Sequence, residues 1–253
     1  MPEVYERHLV PVLFRPFAED LVARAAALGP RRVLELAAGT GVLTSGLLSA
    51  VPAAEVTATD LNDAMVAFGA ARAPGAVWRQ ADAQRLPFPD GVFDLVVCQF
   101  GVMFFPDRIA AYSEVRRVLA PGGRFLFNTW GPLATHAFAA ALQAGLERAL
   151  PVDTPGFLRA VPHGYADPAV VAADLTAAGF AVEQEHEVTL TGRAPSAADV
   201  ALGFLAGTPV RAEVERRGDV SAVREAVAGT MTDRLGPGPV GGAMTAYVFL
   251  GSA

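Results

Sequence analysis

Val33-Leu34-Glu35-Leu36-Ala37-Ala38-Gly39-Thr40-Gly41, followed after about 20 residues by Val56-Thr57-Ala58-Thr59-Asp60, is the stretch whose reading decides the fold. An apolar run enters a turn with two glycines, a helix follows, and a second apolar run ends on an acid. That layout predicts a nucleoside-cofactor cleft at the carboxyl end of parallel strands. Gly39 and Gly41 let the backbone pass close to a ligand, and Glu35 and Asp60 fall at neighbouring strand ends. The expected ligand is an adenosine cofactor.

What the turn lacks narrows the cofactor. A dinucleotide fingerprint needs a third glycine so that helix and strand pack closely below a pyrophosphate. Thr44 occupies that position here, and an acid, Glu35, stands in the turn region. An anionic side chain suits a cationic ligand better than a diphosphate. S-adenosylmethionine, with ammonium and sulfonium charges and no phosphate, fits that description.

Val33 to Gly41 resembles motif I of the class I S-adenosylmethionine-dependent methyltransferases, and later segments follow in that family's order. Asp60 matches the acid that holds both ribose hydroxyls, and Asp82-Ala83 the pair beside the adenine. Val92 to Phe100 resembles the fourth strand and its exit, and Arg116 to Arg124 the turn into the fifth. The resemblance covers residues 31–130 and is nearest to the small-molecule branch that includes the quinone-biosynthesis C-methyltransferases. It implies an enzyme that binds S-adenosyl-L-methionine through Glu35, Ala37, Gly39, Gly41, Asp60, Leu61, Met65, Asp82, Ala83, Gln99, Phe100 and Gly101, and releases S-adenosyl-L-homocysteine. The chain departs from the motif at Ala37, where the family has glycine. Alanine is tolerated there provided φ is negative.

The order of elements predicts an α/β fold: a doubly wound, mostly parallel, seven-stranded Rossmann-like sheet with a helical insertion or lid near the C-terminus. Residues 8–28 read as helical, and Gly29-Pro30 ends that segment. The helix after Gly41 turns Leu43, Leu47, Ala50 and Val51 inward, and the helix after Asn62 turns Met65, Phe68 and Ala71 inward. Ala76 to Ala81 and Phe93 to Gln99 read as strands. Asp107 caps a helix whose inner side carries Ile109, Tyr112, Val115, Val118 and Leu119; Pro121-Gly122-Gly123 ends it, and a strand starts at Arg124. Beyond residue 130 the rhythm changes to an alanine-rich helix (135–150), a proline-punctuated loop (151–162), a helix capped by Asp167, and a strand from Phe180. Two helices starting at Ser196 and Ser221 precede a final strand over 243–250. The expected organisation is one domain over 1–253, with 31–130 as cofactor half and 131–165 and 193–240 as substrate-pocket and lid segments.

Composition restricts the partners. With 52% hydrophobic and 18% charged residues, the 253-residue chain can bury a large core. Its net charge is −6 and its basic residues form only isolated pairs such as Arg116-Arg117, which argues against nucleic acid as substrate. No run approaches the roughly 18 apolar residues of a membrane helix, and no leader pattern opens the chain, so a cytoplasmic protein is expected. The single cysteine, Cys98, lies in an apolar strand and reads as a buried thiol.

Four histidines, His8, His136, His163 and His186, share no metal-ligand spacing, and no metal is expected. His186 reads as surface, and His163, in Pro162-His163-Gly164-Tyr165, is the candidate general base. Met103-Phe104-Phe105 reads as core packing in preference to an aromatic box for the sulfonium, and Trp130 could face the pocket. The expected reaction is in-line methyl transfer to a small, fairly apolar acceptor. Positioning supplies much of its acceleration, and no nucleophilic side chain is required. The alternative is a protein of the same fold that binds S-adenosylmethionine without methylating, as a cyclase-like catalyst or binding module.

Overall fold

The computed structural model describes residues 2–253. Seven strands, β1 (Arg32–Leu36), β2 (Glu55–Asp60), β3 (Val77–Gln80), β4 (Phe93–Gln99), β5 (Leu119–Trp130), β6 (Ala181–Ala194) and β7 (Val240–Ser252), form a sheet in the order β3-β2-β1-β4-β5-β7-β6. β3, β2, β1, β4 and β5 pair in parallel. The Gly131 N–H donates to Thr245 O, and the Ala253 N–H donates to Gly123 O, so β7 runs antiparallel to β5. The sheet is therefore mostly parallel and doubly wound, with its order reversing between β1 and β4.

The chain divides into two compact units. The first takes Phe17–Thr129, Tyr165–Val188 and Ala246–Ala253. On one side of its strands Val33, Val56, Leu95, Val97, Leu126 and Val248 pack with Leu21, Leu43 and Leu47 from the helices Arg15–Ala27 and Val42–Ala50. Successive residues face opposite ways, so Phe125, Phe127 and Phe249 stack on the other side, with ring centroids 4.6 and 5.3 Å apart. Burial on both faces explains why β4 reads as a continuous apolar run.

Several boundaries and faces differ from the sequence reading. β5 begins at Leu119, and its register against β4 shifts between Phe93 and Leu95; Pro121-Gly122-Gly123 is accommodated there as an irregularity, with Gly122 at φ 76°. Ala50, Ala71 and Ile109 are exposed. In the helix Asp63–Arg72 the buried residue is Gly69, because the Trp78 indole from β3 packs against it: a Cβ there would sit 2.1 Å from the indole.

The second unit takes the chain up to Pro16 with Trp130–Gly164 and Thr189–Thr245. Its N-terminal part comprises the helix Pro2–His8, which the sequence reading did not include, and a π-helical turn at Val10–Phe14 within the segment 8–28 that was read as helical. The helix Ala137–Ala149 buries Phe138, Leu142 and Leu146, and Gly145 brings it against Val227 of the helix Val220–Leu235. Ser196 caps Ala197–Gly207 by accepting the Asp199 N–H, the capping box expected from the sequence. The loop expected over 151–162 contains a short helix, Phe157–Ala160. No helix among the described residues is long and apolar enough to cross a membrane.

Candidate functional site

The turn after β1 is held by backbone and carboxylate together. The Ala38 N–H donates to Thr59 O at 2.9 Å, and the Gly41 N–H to Ala38 O at 3.0 Å. Asp60 takes the Gly39 N–H on Oδ2 (2.8 Å) and the Asn62 N–H on Oδ1 (2.9 Å), so one carboxylate ties the glycine turn to the start of the next helix. Gly39 and Gly41 adopt φ of 56° and 83°, as the turn requires. Ala37 adopts φ 51°, so the condition on which alanine was expected to be harmless is not met. A left-handed alanine costs roughly 1–2 kcal/mol.

Below the turn lies Glu35, 1% exposed. The Thr44 hydroxyl donates to its Oε2 at 2.6 Å, which gives the residue at the missing third glycine a specific task. Burial pushes the Glu35 carboxyl up to about 8; the Thr44 bond opposes that shift and the nearby Asp60 charge adds to it. Burial thus favours the neutral form of the carboxyl that the sequence reading took as an anion. Burial also raises Asp60, against the lowering effect of its backbone N–H donors.

The exit of β4 meets this turn. A Cβ on Gly101 would lie 2.6 Å from the Ala37 Cβ and 2.5 Å from Cys98 Sγ, so glycine is required by close approach. Phe100 is left-handed, at φ 51°, and its N–H donates to Asn128 Oδ1 at 2.8 Å. Asn128 Nδ2 and Thr40 Oγ1 are buried side-chain atoms with no protein hydrogen-bond partner. Buried polar atoms are normally satisfied; Thr40 lies in the glycine turn expected to bind the cofactor, and Asn128 lies on β5, where it holds the Phe100 N–H. Cys98 is buried, its thiol pushed up to about 12 chiefly by desolvation.

The remaining predicted positions are more peripheral. Leu61 is 67% exposed, Met65 is half-buried, and the Gln80 amide donates to Leu61 O. Asp82 is exposed and accepts the Gln84 N–H at 2.9 Å, an Asx turn that precedes the bridge to Arg85. Ala83 and Gln99 are half-buried.

In the second unit, His163 donates from Nδ1 to Gly131 O at 2.8 Å. His136 is buried and caps Ala137–Ala149, its Nδ1 accepting the Ala139 N–H at 3.2 Å. The two rings stand 5.4 Å apart at 86°, and the Trp130 ring lies 4.7 Å from His136.

Met103 is core, 2% exposed, while Phe104 is 49% exposed. His186 lies exposed on β6, as read.

Three residues of this arrangement were missed in the sequence. Thr44 was noted only for not being glycine, Asn128 gave no signal in an apolar strand, and His136 was set aside for lacking metal spacing. A carboxylate nine residues before a helix hydroxyl was the one local clue to the first pair.

These features fit S-adenosylmethionine. A glycine turn with an orphaned Thr40 hydroxyl, a masked acid and a ribose-suited carboxylate at the adjacent strand end would serve its methionine and nucleoside parts.

Comparison with known proteins agrees. A methyltransferase domain family matches residues 34–127. A demethylmenaquinone methyltransferase of Thermus thermophilus is 37% identical over 185 residues, covering 68% of this chain and 83% of that protein. Other curated relatives are matched over only about half their length, 46% to 58%. Among solved structures, a methyltransferase of Methanosarcina mazei superposes with TM-score 0.54 at 18% identity, covering 87% of this chain and 91% of that one. The cyclase SpnF superposes with TM-score 0.59 at 21% identity, covering 92% and 79%.

Proposed function

The chain belongs to the S-adenosylmethionine-dependent methyltransferases, and from that premise we propose that it methylates a small, fairly apolar acceptor in the cytoplasm. The observation that carries the reading is the glycine turn tied to Asp60 above the buried Glu35. A net charge of −6 without a basic stripe supports a small acceptor over nucleic acid. The likeness to a cyclase, at 21% identity, concerns the fold and does not favour a non-methylating role.

When bound, S-adenosylmethionine supplies an electrophilic methyl group on a good leaving group. The chain's part is to bind and orient. Glu35 would face the cationic methionine end, with Ala37, Gly39, Gly41 and Thr40 around it. Asp60 would accept from the ribose hydroxyls on the lone pairs its backbone donors leave free. Leu61 and Met65 would cover the nucleoside, Asp82 and Ala83 would flank the adenine, and Gln99, Phe100 and Gly101 would close the methionine side. His163 would take the acceptor's proton.

The test is incubation of the purified chain with S-adenosylmethionine and an acceptor panel, reading S-adenosylhomocysteine release and a one-methyl mass gain. Cofactor binding without turnover across a broad panel would move the reading to the binding-module alternative. Asp60→Ala removes two acceptors from the turn and should weaken cofactor binding by about 2–3 kcal/mol in calorimetry. An unchanged affinity would refute the ribose assignment.

A further inference from the structure

The basic pair Arg116-Arg117 divides in the fold. On the helix Arg108–Val118, Arg116 is exposed, while Arg117 turns with Glu114 toward the segment that follows β3. All five N–H donors of the Arg117 guanidinium are used. Nε donates to Glu114 Oε1 (2.7 Å), Nη1 to Phe88 O (2.8 Å) and Asp90 Oδ1 (2.7 Å), and Nη2 to Leu86 O (3.0 Å) and Glu114 Oε2 (2.8 Å). Glu114 Oε2 also accepts the Leu86 N–H at 2.8 Å. The Arg117 and Val118 carbonyls take the Gly91 and Val92 N–H groups at 3.0 and 2.8 Å. Every residue involved lies in the first unit.

The arrangement does more than pair surface charges. Pro87 and Pro89 have no N–H with which to build a ladder, and Leu86 is buried, so its backbone N–H and C=O must find partners. Glu114 and Arg117 supply both, as a neighbouring strand would. The other end of the segment is tied to the same helix: Gln84 Oε1 accepts the N–H of Asp107, the residue that caps it, at 3.0 Å. Asp82 stands beside these anchors. Its Oδ1 accepts the Gln84 N–H (2.9 Å) and its carbonyl the Arg85 N–H (3.0 Å), so the turn that carries its carboxylate runs directly into the clamped Leu86. No protein donor among the described residues uses Asp82 Oδ2.

We infer that Glu114 and Arg117 are positioning residues for the base of the cofactor: by fixing the backbone of 86–90 they set where the Asp82 carboxylate stands, and with it a preference for a purine that carries an amino group. The inference rests on the assignment of Asp82 to the adenine under the methyltransferase reading. A carboxylate accepts from the amino group of adenine, but meets an oxygen lone pair where that group is replaced by a carbonyl, as in hypoxanthine. Discrimination of this kind needs the carboxylate held to within roughly 0.5 Å, which an unanchored proline-containing loop does not provide. Glu114 and Asp90 match the guanidinium charge, so the clamp acts through geometry and not by setting a cation near the base.

The experiment compares S-adenosylhomocysteine with its deaminated counterpart, S-inosylhomocysteine, by calorimetry on the full chain. Wild type should bind the adenosyl compound at least about tenfold more tightly. Arg117→Lys keeps the charge but cannot bridge Leu86, Phe88 and Glu114 together, and should bring the ratio to within about threefold. Glu114→Gln breaks the bidentate pair while leaving the Arg117 bonds to Leu86 O and Phe88 O, a milder change that should lower the ratio by a lesser factor. Arg116→Lys, outside the clamp, should leave it as in wild type. Amide exchange at 86–92 should quicken in Arg117→Lys, with circular dichroism unchanged.

A clamp that served stability alone would weaken both compounds alike and keep the ratio. An unchanged ratio in Arg117→Lys and Glu114→Gln therefore overturns the inference, whether or not exchange quickens, and so does equal affinity for the two compounds in wild type. Asp82→Ala separates this failure from that of the reading beneath it. If Asp82→Ala abolishes the preference and the clamp variants do not, the role of Glu114 and Arg117 falls and the adenine assignment stands. A preference that survives Asp82→Ala removes the assignment and the inference with it.

Discussion

At Glu35 and Ala37 the chain stores two unfavourable choices side by side, and each can be measured. Glu35 holds its proton to about 8 in the native state against an ordinary value of 4.5, because burial disfavours the anion. A native pKa raised in an acid means that the folded state binds more protons between those values. Stability is therefore highest below about 4.5, falls as pH rises toward about 8, and has lost the whole contribution above it. Glu35→Gln, which keeps an acceptor for Thr44 and has no charge to bury, should flatten that decline. It should unfold at higher denaturant concentration than wild type at pH 9, by a margin on the order of 4 kcal/mol. Parallel urea midpoints from pH 5 to pH 9 in both proteins would refute the assignment. A bound cation should pull the Glu35 pKa down, so cofactor binding below pH 8 should release a proton, detectable as a buffer-dependent binding enthalpy.

Ala37 and Gly101 form a second residue-scale pair, with space for one methyl between them. Gly101→Ala brings a Cβ within 2.6 Å of Ala37 and 2.5 Å of Cys98, and should destabilise by about 1–3 kcal/mol. Ala37→Gly removes one obstacle and relieves a φ of 51°, so alone it should be neutral to slightly stabilising. Together the two should be less destabilised than the sum of the singles, with coupling of about 0.5–2 kcal/mol in a double-mutant cycle. Strict additivity would show that the two residues do not share the space.

At the scale of elements, the helix Asp63–Arg72 is instructive because its intrinsic preference and its packing conflict. Gly69 weakens the helix by about 1 kcal/mol relative to alanine, yet it allows the Trp78 indole to lie against the helix while Nε1 donates to Ala73 O at 3.0 Å. Gly69→Ala should gain propensity and lose that packing, for a net destabilisation of about 1–3 kcal/mol with an unchanged denaturant slope. A stabilised variant would mean that the indole moves freely. Here the limits of sequence reading become physical. Strands, turns and caps were legible because their signals are local: Asn62, Asp107, Asp167 and Ser196 each cap the helix that the sequence assigned them. Inner faces were less legible where a neighbour covers only part of a helix, as with exposed Ala71 and Ile109. Long-range pairs were not legible at all. Phe100 with Asn128 and His136 with His163 are each more than 25 residues apart in sequence and meet through the fold.

At the scale of the whole molecule, the residues proposed for the cofactor belong to one compact unit and the histidine pair to the other. This division makes the cofactor assignment testable without knowing the acceptor. A ligand that binds only the native state stabilises what it touches by about 2.7 kcal/mol at a hundred times its dissociation constant. S-adenosylhomocysteine at that concentration should slow amide exchange in the turn over 35–41, after Asp60 and around Phe100, where openings smaller than global unfolding are suppressed. The helices Ala197–Gly207 and Val220–Leu235, which carry none of the assigned cofactor residues, should change least. Protection confined to those helices, with the glycine turn unaffected, would place the cofactor elsewhere and remove the basis for the roles given to Glu35 and Asp60.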